Sequence, residues 1–317
     1  MFLTHVVTEY ETGKNVRFIL EYRLDFSNKL ITKLKQQPDG ILLNGKRVFT
    51  NHIINTGDIV SCNIDFNEDS LNVVAQELPI DILFEDDALI ILNKTAGIVV
   101  HPTFNHPDNT LANALAYYYI AHNQNHKIHP VNRLDRGTSG IVVFAKNRFI
   151  HRKLCSDSNF ERIYTALVHG IFEPLSGTID MPIARVDQSL IERHVSPSGK
   201  HAITHYNTIE VFNPNSSCKF SLVKFRLETG RTHQIRVHCH HLGHPIYGDS
   251  LYYIDKFSRL DVLKNTKGMD HQALHSSKIS FIHPLTKHTL EISCPLPTDI
   301  SDIVNFFRTE DINSTGF

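Results

Sequence analysis

An acidic side chain in a polar loop, Asp135, is the first candidate for chemistry in this sequence. It lies within residues 132–140 (NRLDRGTSG), which lead into the apolar residues 141–145. The apolar run predicts a buried strand, and a loop fixed to the end of a buried strand is a rigid support for a reactive group. Taken alone, Asp135 fits a turn aspartate or a surface ion pair as well as a catalytic carboxylate.

A second candidate is Arg231, within residues 225–238. The pattern predicts a strand that ends at Gly230 and a helix that is capped by Thr232 and ended by Gly243. Arg231 lies at this junction, where its side chain can point into a cleft; the alternative is a surface salt bridge of little energetic value. The helix also carries four histidines, namely His233, His238, His240 and His241. Their spacing fits no common zinc pattern, so we expect no metal site.

Lys94 and Tyr164 are candidates for binding contacts. Lys94 ends residues 81–94, which predict a strand, an acidic turn and a second strand. Its ammonium group can face a phosphate, although a lysine at a strand end is usually only solvated. Tyr164 lies in the alternating residues 162–170, where an aromatic is by default a core residue and can instead stack on a base.

Residues 1–75 predict a separate small α+β unit. Helical spacing covers residues 16–24, Ser27 is a suitable cap for a helix over residues 28–35, and an Asn-Gly turn joins two strands within residues 40–48. Lys29 and Lys33 lie one helical turn apart, where both can meet phosphates. A solvated basic helix face is the alternative.

The pattern of apolar and polar residues divides the rest of the chain into three parts. Residues 76–80 are the expected linker, which contains Pro79. Residues 81–300 mix strands and helices without a regular βαβ rhythm. We expect residues 301–317 to form a tail with one short helical stretch, residues 302–307, and a polar end that frays.

Composition limits the class of protein. The chain has 317 residues, is 41% hydrophobic and 21% charged, and carries a net charge of −1. The balance argues against coating nucleic acid by bulk charge but allows a local basic cleft. The five cysteines are scattered and form no CxxC pair, so neither a disulfide framework nor a zinc knuckle is expected. With no signal segment and no apolar run long enough to cross a bilayer, we expect a cytoplasmic protein.

Together, these segments resemble the RluA family of RNA pseudouridine synthases over nearly the whole chain. The most specific match is residues 132–140, in which Asn132 stands where the family usually has histidine. Residues 81–102 resemble the family's strand, turn and strand that end in an Asn-Lys-Pro-Ala-Gly and Val-His-Pro run, with Thr95 in place of the proline. Residues 230–238 (GRTHQIRVH) match a second signature, and residues 1–75 resemble the S4 RNA-binding domain that one branch of the family carries.

The resemblance implies a fold, an activity and residue roles. The fold is α+β, with a mixed, mainly antiparallel central sheet, flanking helices and a small N-terminal S4-like α+β domain. The activity is cofactor-free isomerisation of uridine to pseudouridine, and the substrate is ribosomal RNA of the large subunit or, alternatively, transfer RNA. Asp135 is then the essential carboxylate, Arg231 pairs with it, Arg133 enters the RNA stack when the target base leaves, and Tyr164 packs against that base. Contacts with RNA are expected from Lys94, Lys29, Lys33 and Arg136, in a monomeric protein.

Other interpretations remain open at the level of sequence. A catalytically silent RNA-binding protein of the same fold would not need Asp135, Arg133 and Arg231 together. A nucleoside or glycoside hydrolase, acting on a C–N or C–O bond, is a second alternative; a glycosidase commonly uses two carboxylates, and no second one stands out. A metal-dependent hydrolase that uses the histidine-rich helix is the remaining alternative. The sequence does not decide whether Asp135 attacks C1′, adds to C6 or removes a proton from C2′.

Overall fold

The structure is a computed structural model that describes residues 1–64, 73–212, 219–253 and 269–314. The chain divides into two compact units, residues 1–70 and residues 71–317. Lys29 and Lys33 lie in the smaller unit, and the residues predicted to act in catalysis lie in the larger one.

The smaller unit combines a four-stranded antiparallel sheet, in the order β1-β4-β2-β3, with two short helices. Its elements are β1 (Phe2–Val6), α1 (Val16–Tyr22), α2 (Asn28–Lys35), β2 (Leu42–Leu43), β3 (Lys46–Arg47) and β4 (Ile59–Asn63). Ser27 caps α2, as predicted, by accepting a hydrogen bond from the N–H of Leu30. Asn44 and Gly45 have φ values of 50° and 78°, the positive values that a tight hairpin turn requires.

The larger unit is built on a ten-stranded sheet in the described residues. Its first strands and helices are β5 (Asp81–Glu85), β6 (Leu89–Lys94), α3 (Leu111–Ala121), β7 (His129–Pro130), β8 (Ser139–Ala145), α4 (Arg148–Cys155) and β9 (Glu161–His169). They are followed by β10 (Ser176–Asp180), β11 (Ile183–Arg185), β12 (Arg193–Val195), β13 (Ile203–Phe212), β14 (Phe220–Leu227), α5 (Gln234–His241), β15 (Leu274–Ile282), β16 (Thr289–Ser293) and α6 (Thr298–Ser314).

The order of the large sheet is β10-β13-β14-β9-β15-β8-β6-β5, with β16 beside β15 and β7 beside β8. Neighbouring strands are antiparallel except β15 and β8, which pair in parallel at His275–Ser139 and Ser276–Gly140. The predicted α+β class with a mainly antiparallel sheet is therefore confirmed. The parallel pairing begins at Ser139, where the loop that carries Asp135 ends and β8 begins.

The C-terminal residues belong to the core, which corrects the predicted tail. Helix α6 begins at Thr298 and runs over 17 residues. Ile300, Ile303, Val304 and Phe307 are buried in the main hydrophobic cluster. Their spacing of three, four and seven residues forms one face of a helix, a signal that the acidic and polar neighbours obscured.

Residues 73–80 pack on the larger unit, whereas the sequence predicts the end of the small unit and a linker there. Val73 is buried against Ala112 and Ala116 of α3. Gln76 donates its N–H to the carbonyl of Asn113, and Asn113 donates from its side chain to the carbonyl of Val74. These hydrogen bonds fix the segment to α3, so the boundary between the units lies nearer residue 70.

Two further features concern the ranges 1–64, 73–212, 219–253 and 269–314. No helix in those ranges is both long and apolar enough to span a bilayer. Within the same ranges, no three His, Cys, Asp or Glu side chains are grouped so that they can hold a metal ion.

Candidate active site

The loop that carries Asp135 joins β7 to β8 and is fixed by the side chain of Asn132. The amide Nδ2 donates to the carbonyl oxygen of Ile141 at 3.0 Å, and Oδ1 accepts from the N–H of Val143 at 2.8 Å. Because Asn132 is buried, these bonds satisfy backbone groups that water does not reach. The asparagine that replaces the usual family histidine therefore anchors the loop to β8.

The other side of the loop packs closely against the start of β15. Gln272 donates from Nε2 to Oγ1 of Thr138 at 2.9 Å, and both residues are buried. A Cβ atom at Gly137 would lie 2.5 Å from Oε1 of Gln272. A Cβ atom at Gly140, where φ is 106°, would lie 2.3 Å from the carbonyl oxygen of Ser276. The two glycines thus allow the loop that carries Asp135 to lie close to residues 271–276.

Lys94 lies beneath this loop, fully buried, rather than on the surface. Its Nζ donates to the carbonyl oxygens of Thr95, Ile98 and Arg136 at 2.9, 2.8 and 3.1 Å. Burial lowers the pKa of Lys94 to about 7, and the negative charge of Asp135 opposes that shift. As an ammonium group, Lys94 therefore uses all three of its donor hydrogens inside the protein, which contradicts the predicted phosphate contact.

Asp135 is paired with a buried arginine, Arg236, on α5. The Nη1 atom of Arg236 lies 3.3 Å from Oδ2 of Asp135. The Nε and Nη2 atoms donate to the two carboxylate oxygens of Asp249 at 2.7 and 2.8 Å. Burial opposes the charge of Arg236, but its hydrogen bonds with Asp249 and the charges of Asp249 and Asp135 raise its pKa. Asp135 keeps 26% of its side chain exposed, so a substrate can reach the carboxylate.

The ion pair predicted between Arg231 and Asp135 is thus made by Arg236. Arg231 is exposed, and its Nε donates to the carbonyl oxygen of His201 at 2.8 Å. The helix begins at Gln234, with His233 rather than the predicted Thr232 at the cap position. The side chain of Gln234 turns back to accept from the N–H of Arg231 at 2.9 Å, which fixes the junction on the outside of the site.

Tyr164 is buried, whereas Arg133 is exposed. Tyr164 is 6% exposed, within β9 and the main core cluster. Burial raises the pKa of Tyr164, and the charges of Arg162 and Asp135 act on it in opposite directions. Arg133 is exposed. The pKa of His101 is lowered, mainly by the burial of His101 and secondly by the positive charge of Arg133. Tyr164 is therefore available only as a wall of the site, and Arg133 is free to reach solvent.

The other residues predicted to contact RNA are exposed on the protein surface. Arg136 is exposed and donates from Nε to the carbonyl oxygen of Gly97 at 2.9 Å. Lys29 and Lys33 are exposed on α2 of the smaller unit. Their roles in RNA binding remain predictions.

Of the histidines on α5, His238 and His240 are engaged in hydrogen bonds. His238 bonds to Oγ1 of Thr204 at 3.0 Å and to the carbonyl oxygen of Met181 at 2.9 Å. His240 bonds to the carbonyl oxygen of Tyr253 at 2.9 Å. Both ring nitrogens of His238 thus have protein partners, which leaves that side chain no lone pair for a metal.

Sequence reasoning missed four residues that the structure places around Asp135: Arg236, Asp249, His233 and Tyr252. His233 precedes α5 in a left-handed conformation, so helical spacing does not place it beside Arg236. No local signal in the sequence shows that both side chains meet the loop that carries Asp135. Nothing local marks Asp249 as the partner of Arg236, since the contact is made by tertiary folding.

Comparisons with known proteins identify the family of the chain. Residues 88–241 match the family described as RNA pseudouridylate synthase. The chain is 37% identical to a Bacillus subtilis (strain 168) protein named uncharacterized RNA pseudouridine synthase YjbO, over 89% of this chain and 95% of that protein. It is 33% identical to the Vibrio cholerae protein named ribosomal large subunit pseudouridine synthase D, over 97% of this chain and 95% of that protein.

A solved structure shows the same fold at lower identity. The human protein named RNA pseudouridylate synthase domain containing 4 superposes with a TM-score of 0.56 at 21% identity, and the match covers 72% of this chain and 93% of that one. At this identity the likeness shows the fold alone.

Proposed function

Because the chain belongs to the RNA pseudouridylate synthase family and is an isomerase that acts on RNA, we propose that it converts uridine to pseudouridine in large-subunit ribosomal RNA with Asp135 as its catalytic carboxylate. The observation that carries the proposal is the setting of Asp135. Its carboxylate is part-exposed, lies on a loop fixed from both sides, and is 3.3 Å from a buried guanidinium. The name of the Vibrio cholerae relative supports the choice of RNA.

The reaction breaks the bond between N1 of uracil and C1′ of ribose, turns the base, and joins C5 to C1′. The atoms of substrate and product are the same, so the overall change needs no redox step and no energy donor. Asp135 acts as nucleophile or as base in the first step. Arg236 supplies the compensating positive charge at the carboxylate, and Asp249 holds the guanidinium in a fixed orientation.

The target base has to leave the RNA stack before Asp135 can reach it. Flipping costs a few kcal/mol and is cheapest in loops and single strands. Exposed Arg133 fills the gap by stacking, and Tyr164 forms the wall against which the uracil ring packs. Arg136, together with Lys29 and Lys33 of the S4-like unit, contacts phosphates, which positions the RNA without reading its sequence.

The test is a conversion assay on defined RNA. Unmodified bacterial large-subunit ribosomal RNA and transfer RNA are each incubated with the protein, and pseudouridine is mapped by reverse-transcription stops. We expect product in the ribosomal RNA and none with Asp135→Asn, which is nearly isosteric and should still bind RNA.

Each other result has a distinct meaning. Product in transfer RNA alone would move the substrate assignment to that RNA. Product from Asp135→Asn would remove Asp135 as the catalytic group. Binding of both RNAs without product from the wild-type protein would favour a catalytically silent RNA-binding protein.

A further inference from the structure

His233 has an unusual backbone conformation beside the catalytic loop. Its φ of 58° and ψ of 20° are left-handed, although it is neither glycine nor asparagine. Non-glycine residues held in this region are strained and concentrate at functional sites. The conformation places Nε2 of His233 3.8 Å from Oδ2 of Asp135, with only 14% of the histidine side chain exposed.

The other ring nitrogen of His233 is held by Tyr252. The phenol oxygen of Tyr252 lies 2.8 Å from Nδ1 of His233 and accepts from the backbone N–H of Arg193 at 2.9 Å. The ring of Tyr252 also lies under the guanidinium of Arg236, with a centroid distance of 5.0 Å. One aromatic side chain therefore supports both groups that face Oδ2.

The contacts favour one tautomer of His233. Because the phenol already accepts a hydrogen from Arg193, its own hydrogen is free to be donated to Nδ1 of His233. The ring hydrogen then lies on Nε2 and faces the carboxylate of Asp135, which is attractive. The opposite tautomer would direct a lone pair of Nε2 at the carboxylate, which is repulsive.

Four charged residues, from the loop before β8, from β12, from α5 and from residue 249, act on His233. Asp135 and Asp249 contribute negative charge, and Arg236 and Arg193 contribute positive charge. Burial is the largest influence and lowers the pKa of His233 despite the nearby carboxylates. The ring is accordingly a neutral N–H donor at physiological pH.

Two side chains approach the same oxygen of Asp135, Arg236 within hydrogen-bond distance at 3.3 Å and His233 at a longer 3.8 Å. Arg236 and His233 each face Oδ2. In the described part of the chain, no hydrogen bond or ion pair is made to Oδ1. The two oxygens of the carboxylate are thus distinguished before any RNA is bound.

We propose that His233 is a positioning residue: together with Arg236 it fixes Oδ2 of Asp135, so that Oδ1 is the oxygen that reacts with the nucleotide. Tyr252 sets the tautomer of His233 that this role requires. The role rests on the proposed function of Asp135. It also excludes His233 as the base that removes the proton from C5, because in this tautomer Nε2 carries a hydrogen.

His233→Gly separates this role from a structural one. Glycine adopts the left-handed conformation without strain but has no imidazole. A residue kept for folding would lose stability on replacement. A positioning residue loses turnover while the melting temperature stays the same or rises. We expect kcat to fall about 10–100-fold, the range for a reacting group that is no longer held in place, with KM for RNA unchanged.

Tyr252→Phe is the second variant, because it keeps the ring under Arg236 and removes only the hydroxyl. We expect a smaller fall in kcat with the same KM. His233→Asn, which tolerates a positive φ and keeps an amide donor, should recover part of the activity that His233→Gly loses.

Three outcomes decide the matter, with kcat, KM and melting temperature measured on the full chain. A kcat for His233→Gly equal to that of an active wild-type protein would overturn the positioning role alone. A joint fall of kcat and melting temperature would assign His233 to folding instead. A wild-type protein that makes no pseudouridine would contradict the proposed function itself.

Discussion

Arg236 donates to Oδ2 of Asp135 across 3.3 Å, although 101 residues separate them along the chain. The opposite edge of the guanidinium is bound in two places by the fully buried carboxylate of Asp249. The orientation of Arg236 is therefore set by the protein before a substrate arrives. Such pre-set charge is the kind that contributes most to stabilising a transition state.

Replacing Arg236 tests this relationship. Arg236→Lys removes the two-point contact with Asp249, because an ammonium group cannot reproduce the planar fork. We expect kcat to fall about 100–1,000-fold, as for the loss of a pre-set donor. The free energy of unfolding should fall by about 1–3 kcal/mol, because the lysine keeps the charge but loses one of the two hydrogen bonds with Asp249. Single-turnover kinetics and urea denaturation measure the two effects.

Arg231→Lys is the matched control for that experiment. Arg231 is exposed and bonds to a backbone carbonyl, so we expect kcat and stability close to wild type. A larger loss of kcat in Arg231→Lys than in Arg236→Lys would contradict the assignment of Arg236 as the partner of Asp135.

Lys94→Met distinguishes a buried support from an RNA contact. The methionine fills similar space but leaves three carbonyl oxygens without their donor. We expect the free energy of unfolding to fall by roughly 1–3 kcal/mol. The slope of log affinity for RNA against log salt, measured by filter binding, should be the same for Lys94→Met and the wild-type protein.

For the double variant Lys29→Gln/Lys33→Gln we expect weaker, less salt-dependent RNA binding without a loss of stability. Both lysines are exposed on α2, so stability should be unchanged. If each contacts a phosphate, the slope of log affinity against log salt should decrease by about 1 per lysine. A reduced slope in Lys94→Met and an unchanged slope in the double variant would reverse the roles given to these residues.

Acid sensitivity is expected from His275, next to the catalytic loop. Its Nδ1 accepts from the hydroxyl of Ser139 at 2.9 Å, and its Nε2 faces the carbonyl oxygen of Cys294 at 3.3 Å. Burial lowers the pKa of His275 to about 4 in the folded protein, whereas 6.5 is its ordinary value. The unfolded chain therefore binds the proton more tightly, and the stabilisation present above pH 6.5 is lost as the pH falls towards 4.

Urea denaturation at pH 7 and at pH 5 measures this effect. His275 alone should reduce the free energy of unfolding by about 2 kcal/mol between those values. In His275→Gln, which keeps a donor and an acceptor but does not titrate, the difference between the two pH values should shrink by that amount. An unchanged difference would show that His275 does not carry the effect.

Local sequence signals predicted the elements of this fold better than its contacts. The cap at Ser27 and the turn at Asn44–Gly45 were correct because both depend on a few adjacent residues. The strands around Asp135 were likewise found from short apolar runs. Helix α6 was underestimated because polar residues lie between its four buried positions.

The partner of Asp135 could not be read from sequence in the same way. A residue on a helix faces a direction that changes by about 100° for each position along the chain. Whether Arg231 or Arg236 meets Asp135 thus depends on where α5 begins, and the left-handed turn at His233 decides that. Asp249 adds a third segment to the same contact, and only tertiary folding brings the three together.

Helix α6 also has a consequence for the order in which the protein becomes active during synthesis. Its buried residues Ile300, Ile303, Val304 and Phe307 leave the ribosome after every strand of the large sheet, yet they complete the same core as Tyr164 and Leu134. A growing chain that already contains Asp135, Arg236 and Asp249 therefore still lacks one wall of that core. Until α6 has emerged, the core behind the proposed catalytic groups is therefore incomplete.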